Sequence, residues 1–325
     1  MHTMTEVFLA VLPVFVIIGV GMLVDRVRFL PEGLSGVLSA YVLRLALPVL
    51  MAWIMCSSDP ATLFNGGFWC ALLLAQFGAY ALGYGSDALF RRRGQGPAAL
   101  TGLACSCCNV AFLGIPVIIS LLPGNHEALL AAGIASVVTS VVMVSGQVHL
   151  ELLRQKEANT SGGLATLLVK AILLNPLFMG LAAGMVLCLS GIGLWGPLER
   201  TAALISQTCA PCALIALGLD MRNRVRVARA SGTQAAPHQA WIALVKLILN
   251  PLLAWLLLWL FGVDGQWLAV GVLMSGTTTA VAVYMIAEYY RTVPEESALA
   301  VVVSHACSLF TVSGFAYIFN VLEIL

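Results

Sequence analysis

Ten long apolar runs follow one another along the chain, joined by short polar connections, and this pattern limits the fold more than any other feature. A run of roughly 20 apolar residues matches the hydrocarbon thickness of a bilayer. Within lipid, every backbone polar group must find its partner inside the protein, so such runs must be helices or strands of a closed barrel. The runs are continuous rather than alternating, which excludes the barrel. Spans are therefore predicted near 7–24, 34–54, 67–89, 98–121, 128–149, 164–189, 198–219, 239–261, 267–288 and 297–321. Only 10% of the 325 residues are charged against 60% hydrophobic, where a soluble domain is about one quarter charged. A sizeable aqueous domain has no material to form from. The first run has Glu6 as its sole charged residue up to Val24, so it lacks the basic start of a signal peptide and reads as a retained helix.

Basic residues orient the spans. Connections after odd-numbered spans hold Arg26, Arg28, Arg91, Arg92, Arg93, Arg154, Lys156, Arg222, Arg224, Arg226, Arg229 and Arg291, whereas the even connections and both termini hold only Arg200. Cytoplasmic loops are the ones enriched in Lys and Arg. The odd connections are therefore expected in the cytoplasm, with both termini outside a cytoplasmic (inner) membrane. The longest polar connections are expected from Glu151 to Gly163 and from Asp220 to Gln239.

The two halves echo one another. Pro13, Phe15, Gly21, Met22 and Pro48 recur 163 residues later as Pro176, Phe178, Gly184, Met185 and Pro211. At a displacement of 168, Glu127, Ser136, Ser140, Val144, Ser145 and Gly146 match Glu295, Ser304, Ser308, Val312, Ser313 and Gly314. Units of five spans must lie in opposite orientations, and inverted repeats of this kind belong to secondary transporters with a midplane site. The expected architecture is an all-α membrane protein of ten transmembrane helices in two inverted five-helix repeats. The first repeat is 1–155, the cytoplasmic linker 156–163 and the second repeat 164–325.

Span 4 contains Cys105-Ser-Cys107-Cys108-Asn109-Val-Ala-Phe112-Leu-Gly114-Ile-Pro116. Proline removes a donor and collides with the carbonyl four residues back, and glycine eases local unwinding. Together Gly114 and Pro116 predict a break at membrane depth, which is tolerated where the backbone lines a cavity. Freed amides and the Asn109 side chain could hold a polar solute, and a half-helix N-terminus favours an anion. The matching stretch of span 9, Ser275-Gly276-Thr277-Thr278-Thr279-Ala280, lacks proline but carries hydroxyls that compete for helix carbonyls, so a second break is expected there.

The Asn109-Val-Ala-Phe112-Leu113-Gly114-Ile-Pro116 run resembles the N-x-x-F-L-G-x-P signature of the auxin efflux carrier family, in its bacterial permease form. Leu47-Pro48, the run from Pro211 to Leu219, and Lys246-Leu-Ile-Leu-Asn250-Pro251 are similar in the same order along the chain. The resemblance implies membership of the bile acid/arsenite/riboflavin transporter-like superfamily, with broken spans 4 and 9 crossing near the midplane at the substrate site. It also implies a homodimer, and dicarboxylate substrates such as malate or malonate. Asn109, Gly114 and Pro116 then belong to the first crossover, with Thr277, Thr278 and Thr279 opposite.

Charges inside spans are costly and usually functional. Arg44, near mid-depth in span 2, is expected to neutralise a bound carboxylate. Lys170 and Lys246 lie about six residues from span ends and are read as snorkelling to the interface. His305 is titratable near neutral pH but is read as a satisfied interfacial residue. Asp25, Asp87, Glu151, Asp220 and Glu288 all fall at cytoplasmic span ends, leaving no mid-depth carboxylate for cation exchange. Cys209-Ala-Pro211-Cys212 has redox spacing but no surrounding βαβ pattern, so packing is the expected role. The sequence thus points to a secondary carrier of a small organic anion, seated in membrane lipid, with H+ or Na+ as the coupling ion or none. Neither metal, cofactor nor nucleic acid is expected. The alternatives are an ion or proton antiporter and a non-transporting sensor, while an intramembrane enzyme would need paired catalytic groups that the spans lack.

Overall fold

In a computed structural model the apolar runs are helices, as lipid demands. The structure describes residues 4–57, 65–158, 176–190, 193–229 and 236–324. The described helices are α1 Met4–Arg26, α2 Leu34–Cys56, α3 Gly66–Arg91, α4 Gln95–Ser106, α5 Val110–Leu121, α6 His126–Ala158, α7 Pro176–Ser190, α8 Gly196–Ala228, α9 Ala236–Leu260, α10 Gly265–Ser275, α11 Val281–Tyr289 and α12 Pro294–Val321. Among the described residues, seven helices are long and apolar enough to cross a membrane, namely α1, α2, α3, α6, α8, α9 and α12. Predicted spans 4 and 9 are each two shorter helices. Of predicted span 6 only α7 is described, and Lys170 and most of the linker 156–163 lie outside the described residues.

Pro48, Pro116 and Pro251 sit inside helices without breaking them. Each stands two residues after a π-turn: Val42–Ala46 before Pro48, Val110–Gly114 before Pro116, and Val245–Leu249 before Pro251. Widening the preceding turn removes the clash with the carbonyl four residues back, and the axis continues. The expected break at Gly114–Pro116 is thus displaced. The helix runs through both residues, and the interruption falls earlier, at 107–109.

Two expected loops are also shorter than the sequence pattern implies. α8 continues past Asp220 to Ala228, and α6 past Glu151 to Ala158. Charged residues end a membrane span but not a helix, because Asp220–Arg224 and Glu151–Arg154 pair one turn apart and keep it wound. Arg224 is consequently buried rather than a loop residue: its guanidinium lies 4.7 Å from the centre of the Tyr284 ring on α11.

α1 packs along α8 and α7 along α2, while α3 packs along α4 and α9. Without a hydrophobic drive between helices in lipid, close backbone approach through small residues holds such pairs together. A Cβ on Gly21 would meet the Ile215 carbonyl oxygen at 2.8 Å, and one on Gly184 would meet that of Ala52 at 2.5 Å. These are the same contact displaced by 163 residues in both partners. A Cβ on Gly218 would stand 2.3 Å from the Ile18 carbonyl oxygen. The substitution Gly218→Ala should therefore push α1 and α8 apart and cost about 1–3 kcal/mol. Gly19→Ala, with open space around it, should leave stability unchanged or raise it. Thermal unfolding midpoints in detergent would separate the two, and an unchanged midpoint for Gly218→Ala would contradict this packing.

At one end of α3, α4, α9 and α12 an ion cluster ties four helices together. The fully buried Asp87 carboxylate accepts from Arg93 at 2.9 Å and from the Thr101 hydroxyl at 2.7 Å. Glu296 pairs with Arg91 at 3.0 Å and also with Arg93, and His238 lies between the two carboxylates.

Candidate functional site

Where α4 and α10 stop, the two interruptions meet. The Asn109 amide donates to the Thr278 carbonyl at 2.8 Å, and the Ala280 amide donates to the Cys107 carbonyl at 3.0 Å. This antiparallel bridge, Cys108 with Thr279, is the one isolated β-bridge among the described residues. It supplies partners to backbone groups that lipid could not satisfy. A proline is thus not needed for the second break, because the first break provides its hydrogen bonds.

Four helix ends converge on the bridge with opposite polarity. α4 and α10 bring their C-termini, and α5 and α11 their N-termini. The last carbonyl of α10 is covered by an ammonium group. Lys246 Nζ donates to the Ser275 carbonyl at 2.7 Å and to Cys108 Sγ at 3.1 Å, and the Asn250 amide reaches the same carbonyl at 3.1 Å. Lys246 is wholly buried, so the snorkelling expectation is corrected. Its place six residues along the helix gives depth but not direction, and here the side chain turns inward to the negative end of α10 and to Cys108.

The N-terminal ends open instead onto a cavity of about 690 Å³. Ala111 and Phe112 of α5 and Val281 and Ala282 of α11 line it, as do Cys108 and Asn109. α6 contributes Ser136, Thr139 and Ser140, of which the Thr139 hydroxyl donates to Gln76 at 3.2 Å and the Ser140 hydroxyl to the Ser136 carbonyl at 2.9 Å, and α2 contributes Arg44. Arg44 has no carboxylate partner among the described residues, whereas Asp220, also on the wall, is held by Arg224. The Arg44 guanidinium, the Asn109 carboxamide, Ser136 and two helix N-termini border one space. Such a set brings the positive ends of two helix dipoles and one guanidinium to the space it encloses.

The other expected site residues lie behind this wall. Gly114 and Pro116 are buried and do not line the cavity. A Cβ on Gly114 would meet Met274 Sδ at 2.7 Å, so glycine lets α5 lie against α10. Thr277 turns its hydroxyl to the Met274 carbonyl at 2.8 Å, Thr279 turns its own to the Ala104 carbonyl at 2.8 Å, and Thr278 turns its hydroxyl to His305 at 3.1 Å. None of the three lines the cavity, and the next residue, Ala280, does. His305 is no interfacial residue. It is buried, with Nε2 3.3 Å from the Asn109 side-chain nitrogen and Nδ1 2.7 Å from the Val301 carbonyl. The sequence signal that could have found it was its register. It follows Ser304 by one residue, and Ser304 is the counterpart of Ser136 on the cavity wall.

Among the described residues the chain is helical, with several lipid-length helices and a cavity at interrupted ones, the architecture of a membrane transport protein. Residues 6–316 match the family model described as "Membrane transport protein", and the chain belongs to that family, the auxin efflux carrier-like permeases. It is 26% identical over 328 residues to a protein of Rhizobium meliloti (strain 1021) named "Putative malonate transporter", with 97% of this chain and 96% of that one covered.

Proposed function

We propose that this protein is a secondary transporter that moves a small organic anion, with dicarboxylates of the malonate type as the preferred class, by alternating access. The observation that carries the reading is the cavity in which Asn109 and the unpaired Arg44 face the N-termini of α5 and α11. The name of the Rhizobium relative agrees with a dianion. A second carboxylate would find Arg44 or the Ser136 hydroxyl once the first is held at Asn109. In this reading the two pairs α4/α5 and α10/α11 are the fourth and ninth of ten spans, and the displaced glycine contacts at Gly21 and Gly184 support the inverted repeat. Gly114, Pro116 and Thr277 to Thr279 shape the crossing from behind. The arginine-bearing connections face the cytoplasm, both termini lie outside, and the cavity, bounded by the first half of α2 and by Asp220 of α8, is open inward. The homodimer belongs to the same reading, through the family resemblance.

The test is uptake by the purified chain in liposomes, with malonate set against monocarboxylates and neutral solutes while current and internal pH are recorded. Saturable malonate uptake is expected, and transport of only neutral or cationic solutes would remove the anion reading. Arg44→Gln should raise the malonate KM about tenfold with little change in kcat, because a charge-assisted bond made equally in both states contributes to binding alone. An unchanged KM would take Arg44 out of the site.

A further inference from the structure

The histidine at the crossing controls which end of the Asn109 carboxamide faces the cavity. The Val301 carbonyl can only accept, so at 2.7 Å His305 Nδ1 carries a proton. In the neutral ring Nε2 is then an acceptor, and two donors point at it: the Thr278 hydroxyl at 3.1 Å and the Asn109 side-chain nitrogen at 3.3 Å. With its NH2 group held on the ring, Asn109 has its carbonyl oxygen left for the cavity it lines. A carbonyl oxygen repels a carboxylate. When Nε2 takes up a proton it becomes a donor, and Asn109 satisfies it by turning its amide over. The oxygen then meets the ring, the NH2 group faces the cavity, and a positive charge stands directly behind it.

We propose that His305 is the coupling group of this carrier: a proton taken up at Nε2 from water in the open cavity turns Asn109 from an anion-repelling to an anion-binding state, so that one proton travels with each anion. This rests on the anion-transport reading above. The titratable and charged groups on elements packed against α12 are Glu199, Arg200, Cys209, Cys212, Asp220, Arg222, Arg224 and Arg226 of α8, Tyr284, Glu288 and Tyr289 of α11, His238 and Lys246 of α9, Cys105 of α4, and Glu6, Asp25 and Arg26 of α1. Around the ring itself, the bonds are to Asn109, Thr278 and Val301. His305 is a positioning residue that acts through Asn109.

Proton uptake on binding tests this. Purified full-length protein in weak buffer at about pH 7.5, where malonate is fully ionised, is titrated with malonate while released or absorbed protons are measured. Close to one proton absorbed per anion is expected, together with an affinity that falls about tenfold per pH unit above neutrality. In His305→Gln, whose neutral amide can donate to Asn109 at any pH, malonate should still bind, with no proton absorbed and a flat pH profile. Should that variant not fold, ¹⁵N-histidine spectra of the wild type decide, since one of the five histidines must pass from neutral to protonated on malonate addition. Wild type that binds malonate without absorbing a proton, or a His305→Gln variant that absorbs as many as wild type, overturns the coupling role alone. Wild type that binds no malonate overturns the anion reading, and this proposal with it.

Discussion

Asn109→Ala is expected to lower anion transport about a hundredfold and to leave the protein folded in the membrane. The backbone at this position does structural work that alanine retains. Its amide donates to the Thr278 carbonyl at 2.8 Å, and its carbonyl accepts from Leu113 at 3.0 Å and Gly114 at 3.1 Å. What alanine loses is the carboxamide, one of whose ends faces the cavity. A hydrogen bond to a charged carboxylate contributes roughly 1.5–3 kcal/mol, and the upper end corresponds to about two orders of magnitude in rate or affinity. His305 keeps the Thr278 hydroxyl as a donor, so no buried acceptor is orphaned and stability should change by less than about 1 kcal/mol. Uptake of labelled malonate into liposomes, with the unfolding midpoint measured on the same preparation, reads both quantities. Wild-type rates in this variant would remove the crossing as the binding site.

How much of this was legible in the sequence follows from what each signal encodes. Hydropathy encodes length, so the helices fell close to where the apolar runs placed them. The same signal ended α6 and α8 too early, because charge marks the limit of lipid and not the limit of a helix, and Asp220–Arg224 is a good helical pair. Proline encodes a local steric problem but not its solution. At Pro48, Pro116 and Pro251 the answer was a π-turn, and the actual interruptions were set by hydrogen bonds between residues 107–109 and 276–280, which lie far apart in sequence. Asn109 was legible because a carboxamide beside a glycine and a proline at membrane depth is hard to explain as packing. The roles of Thr277, Thr278 and Thr279 were not, since a hydroxyl in a helix can serve its own turn, another helix or a ligand, and only the fold decides.

Side-chain direction was the largest gap, and Lys246 shows what it costs to lack it. Depth alone made the residue a snorkelling lysine, yet its ammonium group is the fixed cation of the crossing. Lys246→Met is expected to separate stability from function. Methionine fills much the same volume, and the Ser275 carbonyl keeps the Asn250 amide at 3.1 Å as its donor. Removing a buried charge relieves its desolvation cost and here leaves no opposite charge unpaired. The unfolding midpoint should therefore stay level or rise. Transport should fall, because the cation sits against Cys108, which is part of the cavity wall. A unit charge about 7 Å from a bound carboxylate at an effective dielectric near 20 contributes roughly 2 kcal/mol, or about thirtyfold. Lys246→Arg would keep the charge but not the fit, since a planar guanidinium cannot enter the space of a compact ammonium between the Ser275 carbonyl and Cys108. It should lose stability where Met does not. If Lys246→Met transported malonate at the wild-type rate, the charge would have only a structural role, and the positive potential of the site would come from Arg44 and the N-termini of α5 and α11 alone.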